Sequence, residues 1–419
     1  MSLIFDSCNL VELAKEYGTP LYVVSESMIR QRLKEINRGF MDRYPNTLGL
    51  FASKALQTLD LCRIVASEGL GLDVVSGGEL YTAWKANFPM EKVYFHGNNK
   101  SQEELELALK LGVGRIVVDN QDEYELLTQL SAKQRKTPGI LFRITPGVDS
   151  HTHQYISTGQ IDSKFGIPLE QKGLHHLVTQ AMESPHVELL GFHFHVGSQL
   201  HTNESHVKAL KVLMDLVKEL NSDLGFVTQE LNLGGGYGVR YTQEDDPQPL
   251  GHFTDSLMAG VYDHCKTMDL VVPRIVIEPG RWIVAEAGVT LYTIGSVKEI
   301  PGVRTYVAVD GGMTDNPRPA LYSAKYHAQI ANRPEDPADT LVTIAGKCCE
   351  SGDILIWDLP LQKPRVGDIL AVDATGAYNY SMASNYNRIP RPAMVLINQG
   401  SHRVSVRRET YEDLLAREV

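Results

Sequence analysis

Cysteine is scarce in this chain: there are five in 419 residues, an odd number with no C-x-x-C spacing. That argues against both a disulfide framework and a zinc knuckle, no metal is expected, and the adjacent pair Cys348 and Cys349 is left to be explained another way. Basic runs are missing too, with 40 Lys and Arg against 51 Asp and Glu and a formal net charge of −11. Without an Arg-rich arm, nucleic acid is not an expected partner, and the acidity favours solubility. No apolar run approaches membrane-spanning length, and the N-terminal MSLIFDSCNLVELAKEYG has no basic stretch leading into a long apolar one. No membrane contact and a cytoplasmic location are therefore expected. Internal repeats and low-complexity tracts are absent.

What is present is a series of short apolar runs that end in polar or glycine-rich turns. They are TLGLFASK (47–54), GLDVVS (71–76), VYFHGN (93–98), RIVVDN (115–120), GILFRITPG (139–147), LLGFHFHVGS (189–198), ELNLGGG (230–236) and RIVIEPGR (274–281). Each is separated from the next by enough chain for a helix. Eight buried parallel strands with intervening helices predict an α/β fold, a (β/α)8 TIM-type barrel over 26–282. In SMIRQRLKEINRGF the apolar Ile29, Leu33, Ile36 and Phe40 share one helical face, with Ser27 placed to cap it. The polar stretch 148–168 has the length and composition of a functional loop, a lid over the barrel mouth.

After Arg281 the pattern changes to alternating segments, VTLYTIGSVKEI, RTYVAVDGG, TLVTIAGK, DILAVDATGAY, AMVLI and HRVSVRRE. They predict an all-β C-terminal domain over 283–419, of Greek-key or β-sandwich-like barrel form. PLYVVS (20–25) is strand-like as well, so an N-terminal segment 1–25 is expected to pair with that domain.

Residues at the C-terminal ends of barrel strands converge on one site. Here those ends carry Lys54, Asp73, His96, Arg143, His193, His195, Gly234 to Gly236, Glu278 and Arg281, a strongly polar set. Lys54 alone reads more readily as a strand-end lysine snorkelling to water than as an amine suited to Schiff-base chemistry, and the other strand ends decide between them. The glycine triplet is either a tight turn or a place where backbone N–H groups approach an anion, with the Ser198 hydroxyl in support. Glu278 and Arg281 would be unremarkable as an ion pair. Together with the lysine, the anion cradle and the His195 ring, Glu278 supplies the carboxylate that keeps a pyridine nitrogen protonated. The cofactor so described is pyridoxal 5′-phosphate.

These residues, with YGTPLYV, FASKA, DVVSGGEL, HTHQYISTG, SKFGI, GFHFHVGSQ, NLGGGYG, IEPGR, RPALY, CESGD and GAYNYSMASNYN, run over nearly the whole chain. In them the sequence resembles the barrel-fold pyridoxal-phosphate decarboxylases, most closely the diaminopimelate decarboxylase family. The resemblance implies that Lys54 bonds the cofactor, that His195 stacks on its ring, and that Ser198, Gly235, Gly236, Glu278, Pro279, Gly280, Arg281 and Tyr378 bind its phosphate and ring nitrogen. It further implies that Arg281, Arg318, Tyr322, Glu350 and Tyr378 hold an amino-acid substrate and that Cys349 is the general acid. In that family the Cys and Glu cross a homodimer interface into the other subunit's site.

The residues speak to the substrate independently. A decarboxylase acting on ornithine or lysine needs only a carboxylate for a distal ammonium, whereas meso-diaminopimelate ends in a second amino-acid head. Arg318 and Glu350 offer the matching pair. An ornithine or arginine decarboxylase and a non-catalytic relative are the rival readings, separable by assays on those amino acids and by cofactor colour. An alanine racemase would place an arginine, not Glu278, at the ring nitrogen. In AGKCCESGD (345–353), successive residues of an extended strand face opposite ways, so Cys348 is expected to pack and Cys349 to act. The Ser351-Gly352 turn is expected to bring Glu350 round to the substrate.

Overall fold

The computed structural model describes residues 2–148, 162–169 and 173–419. Most of the stretch expected as a lid lies outside the described residues. The chain divides into two compact units, residues 32–238 with 247–282, and residues 1–31 with 239–246 and 283–419.

In the first unit the strands are Thr47–Ala52, Gly71–Val74, Val93–Phe95, Arg115–Val118, Gly139–Thr145, Glu188–His193, Glu230–Asn232 and Arg274–Ile277. Each pairs in parallel with the next, and Arg274–Ile277 returns to Thr47–Ala52, closing an eight-stranded barrel. Leu48, Leu50, Tyr94, Val117, Leu141, Leu190 and Val276, drawn from six of these strands, form one buried cluster. Full burial of such side chains stabilises by roughly 1.5–3 kcal/mol each. At the strand starts Glu230 accepts from the Tyr94 hydroxyl at 2.7 Å and from Arg115 at 3.0 Å, so the charge at this face is spent on structure. The opposite face is left for chemistry.

The first long helix begins at Glu26 and runs on as a single π turn to Met41. Ile29, Leu33, Ile36 and Phe40 are all buried, as their spacing requires. Its cap is not Ser27: the Ser25 hydroxyl accepts from the Met28 N–H at 3.1 Å, while Ser27 donates to Asp6 at 2.7 Å. The helix starts one residue before Ser27, and a cap must precede the first turn.

The second unit is built on a sheet in the order Ile354–Leu361, Thr340–Ala345, Arg304–Val309, Gly288–Ile300, Leu21–Ser25, Ala393–Asn398, Ser401–Val406. Ile369–Val372 pairs with both Gly288–Ile300 and Ala328–Ile330. Leu21–Ser25, buried throughout, lies antiparallel to Gly288–Ile300 and parallel to Ala393–Asn398. Two strands had no clear signature. Ala328–Ile330 is three residues long, and in Ile354–Leu361 the positive φ of Asp358 and a register shift break the two-residue alternation that marks a strand.

Candidate active site

Arg274–Ile277 delivers Glu278 to its C-terminal end, where the side chain is 7% exposed. The Asn232 amide donates to Glu278 Oε1 at 2.6 Å, His96 Nε2 stands 2.8 Å from the same oxygen, and His193 Nε2 lies 3.2 Å from Oε2. A carboxylate only accepts, so neutral His193 carries its proton on Nε2, and its Nδ1 has no partner among the described residues. Burial alone would raise the Glu278 pKa; His96 and His193 outweigh it and hold the carboxyl well below its usual value. Burial pushes His193 down to about 3, so the imidazole bonds the carboxylate without titrating near neutrality. Asp73, 3.7 Å from His96, is shifted the other way, raised first by its burial. Of these two carboxyls, Glu278 is thus the one held ionised.

The glycine turn is tied to that carboxylate. Asn232 Oδ1 accepts from the Gly234 N–H at 3.0 Å, and the Glu278 N–H donates to the Gly234 carbonyl at 2.8 Å. A Cβ on Gly235 would lie 2.1 Å from the Glu278 carbonyl, and one on Gly236 would lie 2.1 Å from the Gly197 carbonyl at a φ of +101°. Only glycine fits. The N–H groups of Gly236 and Tyr237 have no acceptor among the described residues. Beside them, Ser198 Oγ accepts from Arg281 Nη2 at 3.0 Å. The Gly235 N–H reaches His195 Nδ1 at 3.4 Å. His195 is kept neutral by its burial and by the Lys54 and Arg143 cations. Lys54 itself sits on a single 3-10 turn, Ser53–Ala55, with its side chain exposed. The Pro279 carbonyl accepts from the Ala52 N–H at 3.3 Å, and Gly280 packs on Ala52, which fixes this turn against the strand that leads to Lys54.

The other expected residues lie in the second unit. Arg318 is 6% exposed, with its guanidinium 4.6 Å from the Tyr241 ring and hydrogen-bonded to the Tyr326 hydroxyl. Burial opposes its charge; the oxygens of Tyr241, Tyr326 and Tyr378 more than offset that. Among the described residues no carboxylate pairs with it. Tyr322 ends the short helix Arg318–Tyr322, and Tyr378 has a φ of +63°. Cys348 is buried and Cys349 exposed, but strand alternation is not the reason, because the strand ends at Ala345. The pair lies in a bend whose backbone is pinned by Asp353, which accepts from the Cys348 N–H at 2.8 Å. Burial first, then Asp353, pushes the Cys348 thiol up to about 12. Glu350 is exposed and accepts from the Gly352 N–H at 3.1 Å, so the expected turn is present.

Residues 26–285 match the family described as pyridoxal-dependent decarboxylase, pyridoxal binding domain. The diaminopimelate decarboxylase of Bacillus subtilis is 50% identical over 403 residues, 96% of this chain and 92% of that protein. The chain belongs to the diaminopimelate decarboxylase family. A crystal structure of the M. jannaschii diaminopimelate decarboxylase with L-lysine superposes with a TM-score of 0.94 at 35% identity, covering 100% of this chain and 96% of that one. The Helicobacter pylori family member with L-lysine gives 0.88 at 32% identity, over 97% and 98%. A lysine/ornithine decarboxylase from Vibrio vulnificus, at 22% identity and a TM-score of 0.78, shares the fold.

The strand-end residues suit the cofactor of this decarboxylase family. Unpartnered N–H groups and a glycine turn that no Cβ could enter fit a phosphate, and the ionised Glu278 fits a protonated pyridine nitrogen. His96, His193 and Glu278 also bring ligand atoms within 4.8 Å of one another, close enough for a metal ion, although the ring nitrogen gives the carboxylate a sufficient use. Asn232 was not singled out in the sequence. Its signal was an amide in the last position of a strand, separated from the glycines by Leu233 alone.

Proposed function

We propose that this enzyme decarboxylates meso-2,6-diaminopimelate to L-lysine and carbon dioxide, the last step of bacterial-type lysine biosynthesis, in the cytoplasm and as a homodimer. The observation that carries the reading is Glu278, a buried carboxylate held ionised at the barrel's strand ends in a chain of this family. When bound, pyridoxal 5′-phosphate supplies the electron sink for the electrons of the breaking Cα–carboxylate bond. Glu278 would keep the proton on the ring nitrogen. The Lys54 amine would hold the cofactor covalently, and the neutral His195 would lie against its ring. Ser198, Gly235, Gly236, Pro279, Gly280, Arg281 and Tyr378 would hold the phosphate end.

Substrate binding falls to Arg281, Arg318, Tyr322, Tyr378 and Glu350. A distal carboxylate calls for a guanidinium without a counter-ion among the described residues, which Arg318 offers, and the distal ammonium calls for an accessible carboxylate, which Glu350 offers. Cys349 Sγ returns a proton to Cα. In the homodimer Cys349 and Glu350 serve the site of the other copy.

The test is carbon dioxide release from meso-diaminopimelate, ornithine, lysine and arginine, each with and without added cofactor. Cofactor-dependent release from diaminopimelate in clear preference to the others is expected. Equal or greater release from ornithine would overturn the substrate assignment.

A further inference from the structure

His206 is a buried polar side chain that the chemistry above does not use. It stands on the first turns of the helix Glu204–Leu224, is 0% exposed, and lies against the rings of Tyr237 and Phe253 at centroid distances of 5.7 and 5.9 Å. Its Nε2 is 2.8 Å from the Gly235 carbonyl, and its Nδ1 is buried with no partner among the described residues. A carbonyl can only accept, so the proton is on Nε2. Burial lowers the ring's pKa to about 4, which keeps it neutral near pH 7. An apolar residue would fill this site without stranding a nitrogen, and a buried unpaired polar atom costs about 1–3 kcal/mol. The one bond that histidine does make is therefore the reason to look for its role.

That bond falls on a particular peptide. The Gly235 carbonyl and the Gly236 N–H belong to the same trans peptide unit, and in such a unit the two groups point in opposite directions. Holding the carbonyl toward the helix turns the Gly236 N–H away from it. The neighbouring groups are already committed: the Gly234 N–H to Asn232 at 3.0 Å, the Gly234 carbonyl to the Glu278 N–H at 2.8 Å, and the Gly236 carbonyl to the Leu200 N–H at 2.9 Å. With two glycines in sequence this peptide has little side-chain steric restraint against rotation, so His206 is what fixes it. The Gly236 N–H, which has no acceptor among the described residues, is left facing outward.

We propose that His206 is a positioning residue for the phosphate of the cofactor: its Nε2–H anchors the Gly235 carbonyl and thereby aims the Gly236 N–H at the phosphate oxygens. The inference rests on the reading that the glycine turn is the phosphate cradle. It predicts an effect on phosphate recognition in particular and not on the cofactor's ring.

The experiment titrates apoenzyme with pyridoxal 5′-phosphate and with pyridoxal, which lacks the phosphate, following the visible absorbance band, and takes the ratio of the two dissociation constants. Wild type should prefer the phosphorylated form strongly. His206→Phe and His206→Met, which keep volume but cannot donate, should lose about ten- to a hundredfold of that preference, the range expected for one hydrogen bond to a charged group. Their pyridoxal affinity should be unchanged. His206→Gln, which retains an Nε2 donor, should keep the preference to within a fewfold. Donor-less variants that bind both ligands equally more weakly, with the ratio intact, would reduce His206 to a packing residue and overturn the proposal while leaving the cradle standing. A wild type without phosphate preference would overturn both. If the donor-less variants do not fold, 15N NMR of the wild-type ring decides, since a proton on Nδ1 instead of Nε2 at pH 7 would rule the proposal out.

Discussion

Glu278 is 7% exposed and braced by Asn232, His96 and His193, each within 3.2 Å of its carboxylate. Cys349 is exposed and is anchored through its backbone, its N–H donating to Asn387 Oδ1 at 2.7 Å. The difference follows from what each group must do. A carboxylate that has to stay ionised away from water needs its donors in place beforehand, because nothing in a dry site can rearrange to supply them. A thiol with the proposed role of delivering a proton to another copy's site must instead be presented on the outside of its own chain. Rigidity is spent on the side chain at one place and on the backbone beneath it at the other.

The largest expected effect comes from the open end. Cys349→Ala should reduce turnover by about 10²–10⁴-fold, the range for losing a general acid, with the cofactor's absorbance unchanged. Cys348→Ala should leave turnover nearly intact and lower stability by about 1 kcal/mol, as a small buried truncation does. Steady-state kinetics and thermal melts on both variants check this, and equal losses of turnover would erase the asymmetry of the pair. Mixing Cys349→Ala chains with Lys54→Ala chains sharpens it: recovered activity requires that acid and amine come from different copies.

At the closed end, Glu278→Gln should lower kcat about 10²–10³-fold, comparable to removing a preorganised electrostatic contact. The same substitution has a pH signature. The folded pKa of Glu278 lies below the ordinary value of roughly 4.3, so the carboxylate's stabilising contribution is complete above that pH and is lost as the pH falls through the folded pKa. Melting temperatures measured between pH 6 and pH 3 should therefore fall less steeply for the Gln variant than for wild type. Parallel curves would mean that the carboxylate is not held ionised by its neighbours.

The barrel was legible because its strands are continuous β-branched and apolar runs, such as RIVI and GILFRI, and because their ends carry Lys54, His195 and Glu278 in positions where a bare fold would tolerate almost anything. What escaped was contact information. Asn232 and His206 lie within segments that read as structure, and their partners, Glu278 and the Gly235 carbonyl, are 46 and 29 residues away in sequence. Ser25 was passed over for Ser27 because a helix start has a one- or two-residue ambiguity in sequence. The cysteine pair was read with the right asymmetry for the wrong reason, since its bend is imposed by Asp353, four and five residues downstream, and not by strand geometry.

Asp353 gives the smallest of these effects and the finest test of the contrast. It is 3% exposed, and its two oxygens accept from different segments, Oδ1 from the Met313 N–H at 2.7 Å and Oδ2 from the Cys348 N–H at 2.8 Å. Gly312 and Gly346 press so close that an added Cβ would lie 2.3 and 2.2 Å from the carboxylate. An asparagine keeps the shape but offers a single acceptor oxygen, so one N–H would meet an amide NH2 with no room to move away. Asp353→Asn should cost about 1–3 kcal/mol of stability and, by loosening the bend beneath Cys349, lower turnover roughly tenfold. Cofactor affinity should not change, because Glu278 and its three braces are built from other residues. A variant that lost cofactor affinity in step with turnover would show that the two ends are not built independently, and the contrast between them would fail.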